Sequence, residues 1–333
     1  MPFRRLCLLS AVALVLCLGL YAPQSAHADT FMQLFSPRIG HLETKVNLRG
    51  FWQPTVDATT QDAEFSLIRT KLDVITPLAQ NERYESAMFF NVSHTRVDTQ
   101  AILPDTGRAF PSDLWKLGAG AFYRRKINDT WIVSAMAQIG SNSDKPFNSG
   151  DEANISGFVI ARMAMGGGHA WNFMLAYSKN SDFLAGLPTP GVAWSYRPNR
   201  ELMVLLGAPM CALVMRPNPQ STLSLFWLFP HTVRARAAIR PAKPWEVFVA
   251  FHWIYDDYYL ADRPNNDFQL LMYEKKAMLG LSYDFSKKVS LTATASWVFD
   301  RIIFQGEDFR DTDKDHIKLD DGPELAMMLR FSL

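Results

Sequence analysis

Cysteine is nearly missing from this 333-residue chain. There are three, and Cys7 and Cys17 both fall in the N-terminal apolar run. Only Cys211 stands in the body, so no intramolecular disulfide can hold it. An exported chain of this size without disulfides must be held by its core or by a membrane. Charge of one sign is also scarce: 34 basic residues face 33 acidic ones, and neither gathers in a long block. That balance argues against nucleic acid as a partner. No apolar run reaches the ~20 residues that a membrane-spanning helix needs. The longest extends only from Leu6 to Tyr21, and helical periodicity is nearly absent after it.

The N-terminus has a basic Arg4-Arg5, then that apolar run, then Ala26-His27-Ala28. This order predicts an export signal over 1–28, cleaved after Ala28, rather than an anchor helix. Cleavage removes two arginines and no acid, leaving 32 basic and 33 acidic residues. Leu14-Val15-Leu16 before Cys17 lacks the small residues of a lipidation site. Residues 29–40 then form a short periplasmic segment, and 41–333 one domain.

What the domain does have is period two. Trp131, Val133, Ala135, Ala137 and Ile139 share a face, as do Trp245, Val247, Val249, Phe251, Trp253 and Tyr255. Val289, Leu291, Ala293, Ala295, Trp297 and Phe299 alternate with Ser290, Thr292, Thr294 and Ser296. Alternation marks strands with one apolar face. Several runs reach 11 residues or more, longer than the ~5–6 of soluble strands and suited to a tilted bilayer crossing of ~9–11. Aromatic residues at run ends, Trp115 and Tyr123, Trp171 and Tyr177, Tyr283 and Phe285, sit where membrane interfaces would be. The competing reading is a soluble sandwich, whose strands should be shorter.

Connections alternate in length. Those at 78–83, 126–129, 166–169, 197–200 and 286–288 are short, whereas 98–113, 141–154, 256–267 and 305–322 are long and polar. Outer-membrane barrels have short periplasmic turns and longer external loops. The fold class is therefore an all-β transmembrane antiparallel barrel of about 14–16 strands. The count turns on Pro209 and Pro230. As tight outer turns they give about 16 strands, and as bulges about 14. Both fall between the repeats Arg197-Pro198-Asn199, Arg216-Pro217-Asn218 and Arg240-Pro241-Ala242, each of which precedes an apolar segment.

Leu325, Met327, Leu329, Phe331 and Leu333 alternate to the last residue. This pattern resembles the terminal strand that the barrel assembly machinery recognises, with leucine where phenylalanine is commoner. The whole mature chain resembles a porin-like outer-membrane β-barrel. Leu206-Gly207-Ala208-Pro209 and Trp227-Leu228-Phe229-Pro230 are similar to hairpins of an uncharacterised bacterial barrel family with no assigned activity, over roughly 185–300. The resemblance implies a Gram-negative envelope. The partners it implies are outer-membrane lipid and lipopolysaccharide, with the assembly machinery and periplasmic chaperones in transit. It supplies no functional residue and no oligomeric state.

Alternation assigns the lumen face. Arg69, Lys71, Asp73, Arg162, Arg234, Arg236, Glu246 and Arg330 are expected to line it, and His252, Glu274 and Asp300 to point inward in the same register. A charge facing lipid at mid-membrane would cost ~2–4 kcal/mol. The basic residues form either a constriction that favours anions or, with the acids, a network that fills the lumen. Asp311-Thr312-Asp313-Lys314-Asp315 has alternate aspartates like a calcium loop. However, His316 stands where such a loop needs glycine, so no metal is expected. Ser93 and His94 are neighbours on a strand and face opposite ways, so they make no catalytic pair. Gly166-Gly167-Gly168 lacks the following lysine of a phosphate loop. No catalytic constellation and no cofactor is expected. The expected function is passive or gated passage of small solutes. The alternatives are a non-conducting barrel that binds through its external loops, and an outer-membrane enzyme.

Overall fold

A computed structural model describes residues 35, 38–104, 106–180, 186–229, 232–307, 311 and 316–333. The expected export signal and most of the aspartate-rich loop lie outside them. The first seven strands are β1 (Lys45–Ala58), β2 (Ala63–Gln80), β3 (Tyr84–Thr99), β4 (Asp113–Lys126), β5 (Trp131–Ser143), β6 (Ala153–Gly166) and β7 (His169–Ser178). Five of 7–11 residues follow: β8 (Thr189–Tyr196), β9 (Leu202–Ala208), β10 (Met210–Asn218), β11 (Ser221–Leu228) and β12 (Thr232–Ala242). Then come β13 (Trp245–Tyr258), β14 (Gln269–Asp284), β15 (Val289–Gly306), β16 (His316–Leu319) and β17 (Gly322–Ser332).

Each strand from β1 to β15 pairs antiparallel with the next. β16 and β17 both pair with β15 and both pair with β1, so they are two halves of one stave. The result is a closed barrel of sixteen staves. Pro209 lies in the one-residue step between β9 and β10, and β11 ends two residues before Pro230. The tight-turn alternative therefore holds, and the count is sixteen. The expected terminal strand is the closing one: Leu325 faces Trp52 and Phe331 faces Val46 on β1.

The outer face is apolar. Ile68, Val159, Leu279 and Met327 are each 45–58 % exposed, in alternation with less exposed neighbours. In water so continuous an apolar belt would drive association. In lipid it is the required surface, so this is a transmembrane barrel. Aromatic rings mark both margins of the belt. Tyr84 stacks on Tyr123, Trp194 on Tyr196, and Trp245 meets Tyr283 at the short-turn end. His94 stacks on Trp115 at the loop end.

The short turns have a shared construction. Asn81 Oδ1 accepts from the backbone N–H of Arg83 and Tyr84, Asn128 from Thr130 and Trp131, Asn199 from Glu201 and Leu202. Asn218 accepts from Gln220, and Ser286 Oγ from Lys288 and Val289. A short polar side chain that mimics a backbone acceptor reverses the chain in few residues. Two of the Arg-Pro repeats noted in the sequence are thus the entries to these turns.

One register expectation fails. A bulge between β14 and β15 interrupts the ladder after Tyr273. Within it Asp300 takes a φ of 51°, which re-aims its side chain to an ion pair with Lys275. Lys275 lies over the rings of Trp253 and Tyr273 on the outer side. The extra residue shifts the alternation by one, and Arg301 takes the buried inner position instead.

Candidate functional site: a bridged lumen and its cationic cavity

The inner face is divided by chemistry. From β3 to β11 it is mostly apolar, broken by Glu85, Lys116, Arg124 and Arg162, with Phe89, Phe122, Phe158, Ile160, Met174 and Leu205 in one buried cluster. Phe35, from the segment before β1, is buried in that cluster. The chain then crosses the short-turn end: Gly40 N–H donates to Glu85 Oε2 at 2.7 Å, and Arg124 Nη1 donates to the Arg38 carbonyl at 3.2 Å. Gly40 has φ +82°, and a Cβ there would fall 2.5 Å from the Asn81 carbonyl oxygen, so only glycine fits this crossing. Glu85 and Arg124 themselves pair at 2.6 Å with both side chains 2 % exposed.

From β12 round to β2 the inner face carries charge, and here most of the expected residues meet. Arg69, Lys71, Arg234 and Arg236 line one cavity of about 240 Å³, with Arg49, Lys276 and His252. Register explains the gathering. Arg49 lies opposite Lys71, Arg234 opposite His252, and His252 opposite Lys276. Glu246 sits at the margin, where it accepts from Arg236 at 2.6 Å and from Arg240 at 2.7 Å. Asp73 lies opposite Asn47, and Arg330 Nε donates to Asn47 Oδ1 at 3.1 Å. Arg162 is elsewhere, on β6 opposite Asn172 in the apolar half.

A network stands above the cavity on the loop side. Glu324 accepts from Lys276 at 2.6 Å and from Gln53 at 2.8 Å, and Gln53 Oε1 accepts from Arg301 at 2.6 Å. Beyond it the lumen is crossed. Asp256 on β13 pairs with Arg69 on β2 at 2.7 Å and with Lys116 on β4 at 2.9 Å, and Asp257 also meets Lys116, at 3.1 Å. β13 is paired with β12 as far as Trp253 and with β14 to its end at Tyr258, never with β2 or β4, so these contacts span the barrel and do not follow its wall.

The crossing continues outward. Tyr259 N–H donates to the Asn142 carbonyl at 2.7 Å, and Ala261 N–H to Asp144 Oδ1 at 2.8 Å. Arg263 meets Glu152 at 3.2 Å, and Lys145 meets Asp262 at 3.0 Å. Beside the bridge a second apolar cluster fills the loop end. Leu103 and Phe110, from the connection 100–112, pack there with Phe65, Tyr258, Leu270 and Ile317.

Alternation placed Arg69, Lys71, Arg234 and Arg236 on one face, and Arg49 could have been read the same way on β1. The bridge left no such signal. Asp256 and Asp257 fell at the expected start of a solvated loop, whereas β13 continues to Tyr258, which is 1 % exposed. Lys116, Lys276 and Glu324 gained meaning only from what faces them. Ser93 is buried on the inner face while His94 pairs with Asp113 on the other. Among the described residues no group of three or more His, Cys, Asp or Glu is placed to hold a metal ion.

No protein-family model matches the chain, and no curated protein does. Among solved structures it is similar to the Pseudomonas putida toluene transporter at 12% identity, covering 95% of this chain and 96% of that one, with a TM-score of 0.41. It is also similar to an outer membrane channel from Pseudomonas putida F1, at 9% identity over 88% of this chain and 97% of that one, TM-score 0.38. A mutant of the Rh. blastica porin has 10% identity over 87% of this chain and 100% of that one, TM-score 0.39.

Proposed function

We propose that the chain is a gated channel of a Gram-negative outer membrane, passing small solutes with a preference for anions. The short-turn end faces the periplasm and the loop end faces outward, as the lengths of the connections require. The observation that carries the reading is the bridge of Asp256 with Arg69 and Lys116, which crosses the lumen directly above a cavity rich in basic side chains. Rings of basic side chains select anions, and a charged contact across a pore is a removable obstruction. A non-conducting barrel is the second reading, favoured by the apolar cluster on the inner face of β3–β11.

Planar-bilayer recording separates the two. Asp256→Asn leaves Arg69 and Lys116 facing each other without their shared carboxylate. Conductance is expected to rise at least threefold over the native chain, with an anion-selective reversal potential. Equal, negligible conductance in both proteins rejects the channel. Cation selectivity that Arg234→Ala and Arg236→Ala leave unchanged rejects the anion preference.

A further inference from the structure

We infer that the cavity between β12–β15 and β17–β1–β2 is a binding site for a small amphipathic organic anion, a carboxylate attached to an apolar ring or short chain. The inference deepens the channel reading and takes the cavity to lie on the solute path.

Three observations carry it. The first is charge: six basic side chains line the space against one carboxylate, that of Glu324, and they stay in excess when Asp256, Glu246 and Glu274, which pair with Arg69, Arg236 and Lys276 from around it, are counted. Cations withdrawn from bulk water favour an anionic guest, and arginine offers a carboxylate two parallel N–H donors. The second is the rest of the wall. Phe51, Phe248, Ile254, Met278 and Met328 line the same space. Arg236 lies 4.0 Å from the Phe248 ring centroid and Lys71 5.8 Å from that of Phe51, so cation and apolar surface are interleaved. A fully hydrated inorganic anion would leave this wall facing water. A guest with an apolar body covers it, and small ligand sites combine such walls with a few placed polar groups. Methionine adapts its shape to such a guest. The third is size: an apolar cavity of ~150 Å³ holds benzene, and about 240 Å³ holds a ring with its carboxylate. Gly280 leaves room for the Phe248 ring of that wall, which a Cβ there would overlap.

The test is calorimetric titration of the purified barrel in detergent with benzoate, acetate and benzyl alcohol. Benzoate is expected to bind at least tenfold more tightly than either of the others, which lack the ring or the charge. The double variant Lys71→Met, Arg234→Met should weaken benzoate at least tenfold while keeping the heat-modifiable gel mobility of a folded barrel. If that variant does not fold, Ala250→Trp, which fills the cavity without removing a charge, should abolish benzoate binding. Benzoate binding no tighter than benzyl alcohol, or unchanged in the variant that folds, overturns the inference. Benzoate binding as expected with no conductance from Asp256→Asn would reject the channel and leave the site standing. Conductance without benzoate binding would reject the site alone.

Discussion

At the scale of single residues, the pair Glu85–Arg124 shows how little room this lumen leaves for an unmatched charge. Both side chains are buried, at 2.6 Å, and each also holds the segment that crosses the short-turn end, at Gly40 and Arg38. Removing one member of such a pair strands the other, at a cost of ~3–5 kcal/mol, whereas replacing both by apolar residues comes near neutrality. Arg124→Met is therefore expected to lower unfolding stability in urea by about that much, and Glu85→Met with Arg124→Met to recover most of it. Tryptophan fluorescence in lipid vesicles measures both, and a single variant within ~0.5 kcal/mol of native rejects the pair as an anchor. Inwardness of charged residues was legible wherever alternation ran unbroken, as at Arg69 and Lys71. It failed at Asp300, because a bulge adds a residue without any mark in a hydrophobic pattern.

At the scale of elements, connection length was the most readable property. A turn of two or three residues needs a side chain that supplies an acceptor, and Asn81, Asn128 and Asn199 are visible as such in the sequence. The long connections looked like solvated loops because they are polar. Two of them are instead laced together: 144–152 meets 259–268 through Glu152–Arg263 and Lys145–Asp262. Burial pushes the Glu152 carboxyl up, but hydrogen bonds from the hydroxyl and backbone N–H of Ser149 and from Arg263 outweigh it and hold it below the usual range. A carboxylate with a depressed folded pKa contributes its full stabilisation above the unfolded value of ~4.3 and loses it as pH falls further. The lacing should therefore be intact at neutral pH and loosen below about pH 4. Proteolysis by pepsin, followed at stepped acid pH, should cut 144–152 or 259–268 first. Glu152→Gln should be cut at those sites already at the highest pH where pepsin acts. Cleavage at other loops first, or no difference in the variant, counts against the lacing.

At the scale of the whole molecule, the sequence specifies a barrel wall far better than it specifies the lumen. Wall contacts join strands adjacent in the chain, so period two and turn length imply them. The bridge joins β13 to β2, β4 and β5 across the barrel, between positions more than 100 residues apart, and nothing in local pattern encodes that proximity. If the bridge closes the pathway, fixing it covalently must hold the channel shut. The Tyr259 N–H reaches the Asn142 carbonyl at 2.7 Å, which brings the two backbones close enough for the ~4.4–6.8 Å Cα separation of a disulfide. Cysteines at both positions, with Cys211→Ser to remove the free thiol among the described residues, are expected to cross-link on oxidation. Introduced together with Asp256→Asn, the cross-link should abolish the added conductance, and dithiothreitol should restore it within one bilayer recording. A conductance indifferent to oxidation and reduction would mean that solutes bypass the bridge, for instance through the half of the lumen bounded by β6–β12, and the gate would have to be sought at the short-turn end, where Phe35 lies buried against Phe89 and Phe158.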